Sequence, residues 1–145
     1  SSWYSQTGGT FLSSARMSYV ATGNRGPFRL DDGTDSNRIM ARNNNSGSLD
    51  ARVIAINITQ CNLESGNTLI ANTAFKHGFA FVANDFASVF NGGNLLTDTS
   101  GTIPTVDQLK IGDSGLGNAI INGTIAQIAY YPVRLSDTQL QRLTS

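Results

Sequence analysis

Two apolar stretches separated by two polar residues constrain the fold of this chain more than any other feature. Residues 79–83 and 86–90 are rich in aromatic and small apolar side chains, and Asn84-Asp85 lies between them. This pattern predicts a β-hairpin, because Asn and Asp tolerate the positive φ angles of a two-residue turn. A second polar turn at 91–94 leads into residues 95–97. We therefore predict three consecutive antiparallel strands.

Shorter apolar runs elsewhere predict further strands, at 9–17, 27–30, 38–41, 52–59, 109–112 and 120–131. Within them, residues 53–58 read as one central strand. Polar loops are expected at 31–37 and 43–48. One short C-terminal helix is expected to cover a sheet edge, because Ser136 can cap it with Gln139 three residues later. Ten or so strands predict an all-β fold, a two-sheet antiparallel β-sandwich.

The composition supports this fold class and excludes several partners. The length of 145 residues fits one domain, 1–145, and Gly, Ser, Thr and Asn supply 58 residues, which favours turns and strands over helices. Charged residues make up 14%, with a net charge of zero, so we expect no nucleic-acid partner. No apolar stretch is long enough for membrane insertion. Because the chain begins with Ser, we expect it to be part of a longer protein.

Several motifs resemble one family. A hairpin ending in Asn91-Gly92-Gly93 is followed by Leu109-Lys110-Ile111-Gly112, and a closing strand and helix occupy 121–140. Upstream, the family's first strand and first hairpin are resembled by Trp3-Tyr4 with Gly9-Thr10-Phe11, and by Asp31-Asp32-Gly33-Thr34 with Asn37-Arg38-Ile39. The chain thereby resembles the concanavalin A-like, laminin-G-like jelly-roll domains found at the C-termini of phage tail and other virion proteins. Such sandwiches bind glycans or proteins, hydrolyse glucans or assemble particles, so the resemblance implies a fold and leaves the function open.

Residues suited to catalysis are scarce. Retaining glycosidases need two carboxyl groups about 5–5.5 Å apart, and Glu64 is the one glutamate, in a segment predicted to be a loop. His77, the one histidine, is expected at a strand edge, with no nucleophile motif in the sequence. Cys61 has no cysteine partner and is expected to be a buried structural thiol. We therefore predict that the protein is not an enzyme.

The loop at 31–37 carries the residues best suited to a metal ion. Asp31, Asp32 and Asp35 supply the hard carboxylate oxygens that calcium prefers. The resemblance adds that related laminin-G-like domains often carry calcium at a sandwich rim. Asp, Gly and Thr are also ordinary residues of hairpin turns. We expect no obligatory cofactor, with calcium at these three residues as the alternative.

A glycan site needs aromatic rings for the CH face of a sugar and planar polar groups for its hydroxyls. The candidate aromatic platforms are Trp3, Tyr4 and Tyr19. The candidate polar partners are Asn37, Arg38, Asn43, Asn44 and Asn45. Structural roles stay open for the same residues, since Trp3 can anchor the terminus and asparagines occupy turns for backbone reasons.

Three functions follow from these observations. The first is a non-enzymatic module of a phage tail fibre or spike, located on the virion outside the cell, that binds a host-surface glycan. The second is a structural or decoration module that contacts other virion subunits, since a weakly charged surface suits subunit packing. The third is a polysaccharide hydrolase that uses aspartates. The resemblance to virion proteins also implies a homo-oligomer.

Overall fold

The computed structural model describes residues 3–20, 23–117 and 119–145. Its elements in chain order are β1 (Gly8–Met17), β2 (Phe28–Asp31), β3 (Arg38–Asn43), β4 (Ser48–Ala55), β5 (Ile58–Thr68), β6 (Ala74–Val82), β7 (Asp85–Phe90), β8 (Leu96–Asp98), β9 (Gln108–Ile111), β10 (Gly123–Tyr131) and α1 (Asp137–Thr144). Sheet A has the strand order β10-β1-β6-β7-β8 and sheet B the order β5-β4-β3-β2-β9. The predicted two-sheet antiparallel sandwich with a short C-terminal helix is confirmed.

Aromatic side chains join the two sheets. Phe11 of β1 stacks on Phe28 of β2 with 4.5 Å between the ring centroids. Phe79, Phe81 and Phe86 fill the same space and have no exposed surface. Each buried ring of this kind contributes about 1.5–3 kcal/mol through loss of apolar surface to water. The apolar residues that alternate along the strands therefore form the core between the two sheets.

The predicted three-strand meander is confirmed, although its first turn is formed by Ala83 and Asn84, one residue earlier than the expected Asn84-Asp85. β6 and β7 pair antiparallel, with Phe81 opposite Phe86 and Val82 opposite Asp85. Asn84 in the connecting turn has a φ of 61°, the left-handed conformation that asparagine tolerates. β8 then pairs with β7 at the edge of sheet A.

The prediction of one central strand over 53–58 is wrong. Ile56 and Asn57 have φ angles of 51° and 62° and form a tight turn that divides the apolar run between β4 and β5. The Oδ1 atom of Asn37 accepts a hydrogen bond from the Ile56 N–H over 3.0 Å, which fixes the turn against the neighbouring loop. β5 continues beyond the predicted strand, so Glu64 lies in a strand rather than in a loop.

Helix α1 begins where the sequence predicts. The Ser136 hydroxyl accepts from the Gln139 N–H, and the Gln139 side chain accepts from the Ser136 N–H over 2.9 Å. The helix lies on the outer face of sheet A over β6 and β7, which corrects the expected position at a sheet edge. Gly78 permits this approach, because a Cβ atom there would lie 2.6 Å from Cδ1 of Leu140. In the described ranges, no helix has the length and apolar character to span a membrane.

Candidate functional site

Basic side chains gather on the face of sheet B that points away from the core. Along β2, β3 and β4, residues such as Phe28, Ile39 and Val53 belong to the core, and the alternate residues point outward. The outward positions of sheet B carry half of the ten Lys and Arg residues of the sequence, namely Arg29, Arg38, Arg42, Arg52 and Lys110. We call this surface the basic face.

The strand register places these side chains in rows. One row crosses all five strands of sheet B and consists of Lys110, Arg29, Met40, Arg52 and Asn62. A second row joins Arg42 to Asp50 and Asp50 to Glu64. Neighbouring strands lie about 4.8 Å apart, so Arg29 and Arg52 of the first row, on either side of Met40, are separated by roughly 10 Å. Their availability to a ligand depends on the carboxylates that each one meets.

Arg29 is fully engaged within the protein. Its Nε donates to Asp31 over 2.5 Å, and its Nη1 donates to Asp35 over 2.8 Å. Two carbonyl oxygens, of Thr34 and Ser114, accept its remaining contacts. Only 1% of the Arg29 side chain is exposed, and Lys110 also pairs with Asp31. Arg29 thus holds two loops in place and has no surface to offer a ligand.

Arg42 is also neutralised. Its Nε lies 3.2 Å from one oxygen of Asp50, its Nη2 lies 3.4 Å from the other, and its Nη1 donates to Asn24. The Asp50 carboxylate is completely buried. Burial raises the pKa of this carboxyl group, and the Arg42 guanidinium opposes that effect. Asp50 and Asn24 therefore fix the orientation of Arg42 on the basic face.

Arg52 differs from these two arginines. Its Nη2 donates to Thr59 Oγ1 over 3.0 Å, while its buried Nε has no hydrogen-bond partner. Within the described residues, no carboxylate forms an ion pair with Arg52. Burial lowers the pKa of its guanidinium, the charge of Arg42 lowers it further, and the carboxylates of Asp50 and Glu64 oppose the shift. An anion placed here would meet a cation that has no direct ion-pair partner among the described residues.

Arg38 is partly neutralised. Its Nη1 lies 2.7 Å from a carboxylate oxygen of Asp35, and this carboxylate also serves Arg29. The buried Nε of Arg38 has no hydrogen-bond partner. Burial lowers the pKa of Arg38, Asp35 opposes the shift, and the charges of Arg29, Arg52 and Arg42 add to it. Arg38 therefore retains part of its charge, because it shares its one carboxylate partner with Arg29.

Two cavities on the basic face share Asn24 and Arg42 in their walls. The larger, of about 450 Å³, is lined by Asn24, Arg42, Asn44, Asn45, Ser46, Arg52 and Glu64. The smaller, of about 200 Å³, is lined by Asn24, Arg29, Asp35, Arg38, Met40, Arg42, Ser114, Gly115, Leu116 and Ala119. We call the two together the basic groove. Ligand sites commonly occupy roughly 300–1,000 Å³, so the groove has room for a small oligosaccharide.

The predicted aromatic platforms lie elsewhere. Trp3 contacts Tyr4 and Tyr130, with ring centroids 5.6 and 5.8 Å away. Tyr4 belongs to the core, and burial raises the pKa of its phenol. Trp3 is half-exposed and Tyr19 is 64% exposed. None of the three predicted platforms lines the basic groove.

The predicted polar partners divide between structural roles and the groove. Asn43 is buried, and its Oδ1 accepts from the Arg25 N–H over 2.6 Å. Asn44 Oδ1 accepts from the Ser46 and Ser48 N–H groups and fixes the β3–β4 turn. Asn37 fixes the β4–β5 turn. Arg38, Asn44 and the exposed Asn45 line the groove, so the structure brings these three predicted residues together.

The three carboxylates proposed for calcium have partners within the protein. Asp31 pairs with Arg29 and Lys110, and Asp35 pairs with Arg29 and Arg38. Asp32 accepts from the backbone and hydroxyl of Thr34 and from Asn37, and these hydrogen bonds hold its pKa below the usual value. The described residues contain no group of three or more His, Cys, Asp or Glu side chains placed to hold a metal ion. The geometry therefore favours the turn interpretation over calcium.

Of the three candidate catalytic residues, His77 and Cys61 are buried and only Glu64 is exposed. His77 is buried in sheet A rather than at a strand edge, and its Nε2 contacts Ser88 Oγ over 2.9 Å. Burial lowers the pKa of His77 to about 3. Cys61 is buried as predicted, and burial raises its pKa to about 12. Glu64 lines the larger cavity, but Asp50, the acid opposite it, is completely buried beneath Arg42.

Several groove residues were not predicted from the sequence, namely Asn24, Arg29, Arg42, Arg52 and Glu64. A signal for the arginines was present. Each follows or precedes a core residue within a β run, as in Phe28-Arg29-Leu30 and Ala51-Arg52-Val53. Alternation with core residues places such arginines on one face of a sheet. Their common face could therefore have been predicted, although their partners could not.

Comparison with known proteins identifies the fold class. No protein-family model matches the sequence, and no curated protein matches it. The CBM40 domain of the Ruminococcus gnavus IT-sialidase has a similar structure, with a TM-score of 0.80 at 14% identity over 97% of this chain and 84% of that chain. The same domain bound to α2,3-sialyllactose gives a TM-score of 0.78, at 14% identity over the same shares of both chains.

A second similar structure is domain 4 of a GH43 extracellular arabinanase from Geobacillus stearothermophilus in complex with arabinotriose. Its TM-score is 0.76 at 12% identity, over 99% of this chain and 69% of that chain. At such low identities the likeness shows the fold alone. The chain has the lectin-like β-sandwich fold that is also found in carbohydrate-binding modules.

Proposed function

We propose that this domain is a non-catalytic glycan-binding module whose ligand is an acidic glycan held in the basic groove. The observation that carries the proposal is Arg52, which lines a cavity of about 450 Å³ and forms no ion pair with a carboxylate among the described residues. A carboxylate is the natural partner of such a group, because guanidinium and carboxylate form short charge-assisted hydrogen bonds.

The rest of the cavity suits a sugar. Asn24, Asn44, Asn45 and Ser46 line its walls. The exposed Asn45 offers its amide to sugar hydroxyls as donor or acceptor, while Asn44 fixes the turn that carries it. Glu64 adds a carboxylate that accepts from hydroxyls. The similar structures that hold sialyllactose and arabinotriose support a glycan ligand for this fold. The lack of paired accessible carboxylates in the groove supports a binding role over hydrolysis.

The direct test is calorimetric titration with matched glycans. We expect 3′-sialyllactose, or an oligosaccharide containing glucuronic, galacturonic or mannuronic acid, to bind more tightly than its uncharged counterpart. Arg52→Gln should lower that affinity at least tenfold. Arg16→Gln is the control, because it removes the same charge from an exposed position on sheet A. Equal loss in both variants, or equal binding of charged and uncharged glycans, contradicts the proposal.

The setting we propose is a phage tail fibre or spike, in which the module is presented on an oligomeric virion protein and contacts the host surface. This part rests on the motif resemblance. The test compares particles with and without the domain. Loss of adsorption with intact particles supports the receptor-binding role. Loss of particle stability with normal adsorption supports instead the structural module that contacts other virion subunits. Light scattering of the virion protein gives its oligomeric state.

A further inference from the structure

The basic groove has two separate positions for an anion, one in each cavity. In the larger cavity, Arg52 has no carboxylate in ion-pair contact within the described chain, while Arg42 is held by Asp50. In the smaller cavity, Arg38 contributes a guanidinium that shares the carboxylate of Asp35 with Arg29. These two guanidiniums lie in different cavities whose shared wall contains Arg42 and Asn24.

The ion pairs around the smaller cavity leave positive charge unbalanced. Asp31 pairs with Arg29 and Lys110, and Asp35 pairs with Arg29 and Arg38. Three cations thus share two carboxylates. Asp35 is 61% exposed, so water weakens its hold on Arg38. An incoming anion at Arg38 therefore replaces a weak, shared contact.

The larger cavity contains one further acid, Glu64. Its Oε1 accepts from Asn62 over 3.0 Å, and it makes no ion pair with Arg52 among the described residues. Glu64 is exposed to water, which screens its charge. The charges of Glu64 and Asp50 act on Arg52 without direct contact, so the Arg52 guanidinium keeps room for a carboxylate. Glu64 favours ligands that bring hydroxyl donors beside that carboxylate.

The register fixes the separation of the two positions. Arg38 pairs with Ile54 and Met40 pairs with Arg52, so Arg38 and Arg52 are diagonal neighbours on β3 and β4. Diagonal neighbours of a sheet lie roughly 7–8 Å apart. The two arginine side chains therefore lie in adjoining cavities. This spacing suits a ligand that carries acidic groups on successive sugar units.

Resting on the proposed function, we infer that the groove binds an internal stretch of an acidic polysaccharide and contacts two acidic sugar residues at once, one through Arg52 and one through Arg38. A single terminal acid fills only one of the two cavities. The second contact is intramolecular once the first has formed, so it raises affinity through effective concentration.

The test measures affinity against chain length. We would titrate the protein with one to four residues of oligogalacturonate, oligomannuronate and α2,8-linked oligosialate. In at least one series the affinity should rise by about tenfold or more between one residue and three. Arg38→Gln should abolish that rise, whereas Arg16→Gln, an exposed position on sheet A, should leave it in place. Arg52→Gln should weaken every length.

The outcomes separate this inference from the proposed function. If every series gives the same affinity at all lengths, while Arg52→Gln still abolishes binding, the two-acid inference is wrong and the proposed function stands. If no acidic saccharide of any length binds, both are wrong. Single-stranded DNA of matched charge is the control. Equal affinity for DNA would indicate charge attraction without sugar recognition and would overturn the inference. Thermal unfolding of both variants verifies that they are folded.

Discussion

Arg42 and Asp50 are direct partners on β3 and β4, and both oxygens of the Asp50 carboxylate face the Arg42 guanidinium, at 3.2 and 3.4 Å. The carboxylate is completely buried and 12% of the arginine side chain is exposed. Removing one partner of a buried pair leaves an uncompensated charge. The pair is therefore the structural support of the basic groove.

Asp50→Asn should destabilise the domain by about 3 kcal/mol, because Arg42 then lacks a counter-charge in a buried setting. Urea denaturation followed by tryptophan fluorescence measures the change. The matched double variant Asp50→Leu with Arg42→Leu should recover most of the stability, since neither charge remains. A single variant as stable as the parent protein would show that the pair does not support the groove.

Protonation of His77 should make stability depend on pH. Its pKa is lowered to about 3 by burial, whereas an unfolded histidine titrates at about 6.5. The unfolded chain therefore binds a proton first as the pH falls. Stability should be fully present above pH 6.5 and decrease by up to about 1.4 kcal/mol per pH unit between 6.5 and 3.

The variant His77→Gln isolates this contribution. The lowered pKa values of Asp32 and Asp35 cause losses only below their ordinary value of 3.8, and the raised pKa of Asp50 acts in the opposite direction. Urea midpoints measured between pH 7 and pH 5 should fall for the parent protein and stay flat for the variant. Parallel curves would contradict the assignment to His77.

Gly78→Ala should displace helix α1. A Cβ atom at this position would lie 2.6 Å from Leu140 Cδ1 and 3.0 Å from Thr144 Cγ2. Overpacking of this kind costs about 1–3 kcal/mol. In a double-mutant cycle, Leu140→Ala should cost less in the Gly78→Ala background than in the parent protein, because the space is already disturbed. Additive effects would show that the helix does not rest on Gly78.

Ile56→Asn should stabilise the domain. Ile56 is 79% exposed and has a φ of 51°, a conformation that a β-branched residue adopts at a cost of about 1–2 kcal/mol. Asparagine suits the first position of this hairpin turn, and little buried surface is lost. A gain of about 1 kcal/mol is expected in thermal unfolding. Ile58→Asn, at a 64% exposed strand position, is the control and should give no gain.

The fold could be predicted from the sequence because each local signal agrees with the sandwich. The hairpin around Asn84 and the helix cap at Ser136 depend on short-range geometry, which the sequence contains directly. The turn at Ile56 was not predicted, because isoleucine disfavours a positive φ and the apolar run looks like one strand. Tertiary contacts, including the Asn37 side chain, enforce the turn.

The candidate site was harder to predict than the fold. Arg38, Asn44 and Asn45 were identified, but the aromatic platforms Trp3 and Tyr4 belong to a packed cluster with Tyr130. Which arginine stays unneutralised depends on long-range partners. Asp50 forms an ion pair with Arg42, and Asp31 and Asp35 form ion pairs with Arg29. The register of sheet B decides that Arg52 has no such direct partner among the described residues.

The most direct measurement is an NMR titration that follows the Nε–H signals of the arginines while an acidic oligosaccharide that binds is added. We predict large shifts for Arg52 and Arg38, whose side chains line the groove, and little change for Arg29, whose Nε already donates to Asp31. Shifts centred on Trp3 and Tyr130, with unchanged Arg52 and Arg38 signals at saturation, would contradict the account.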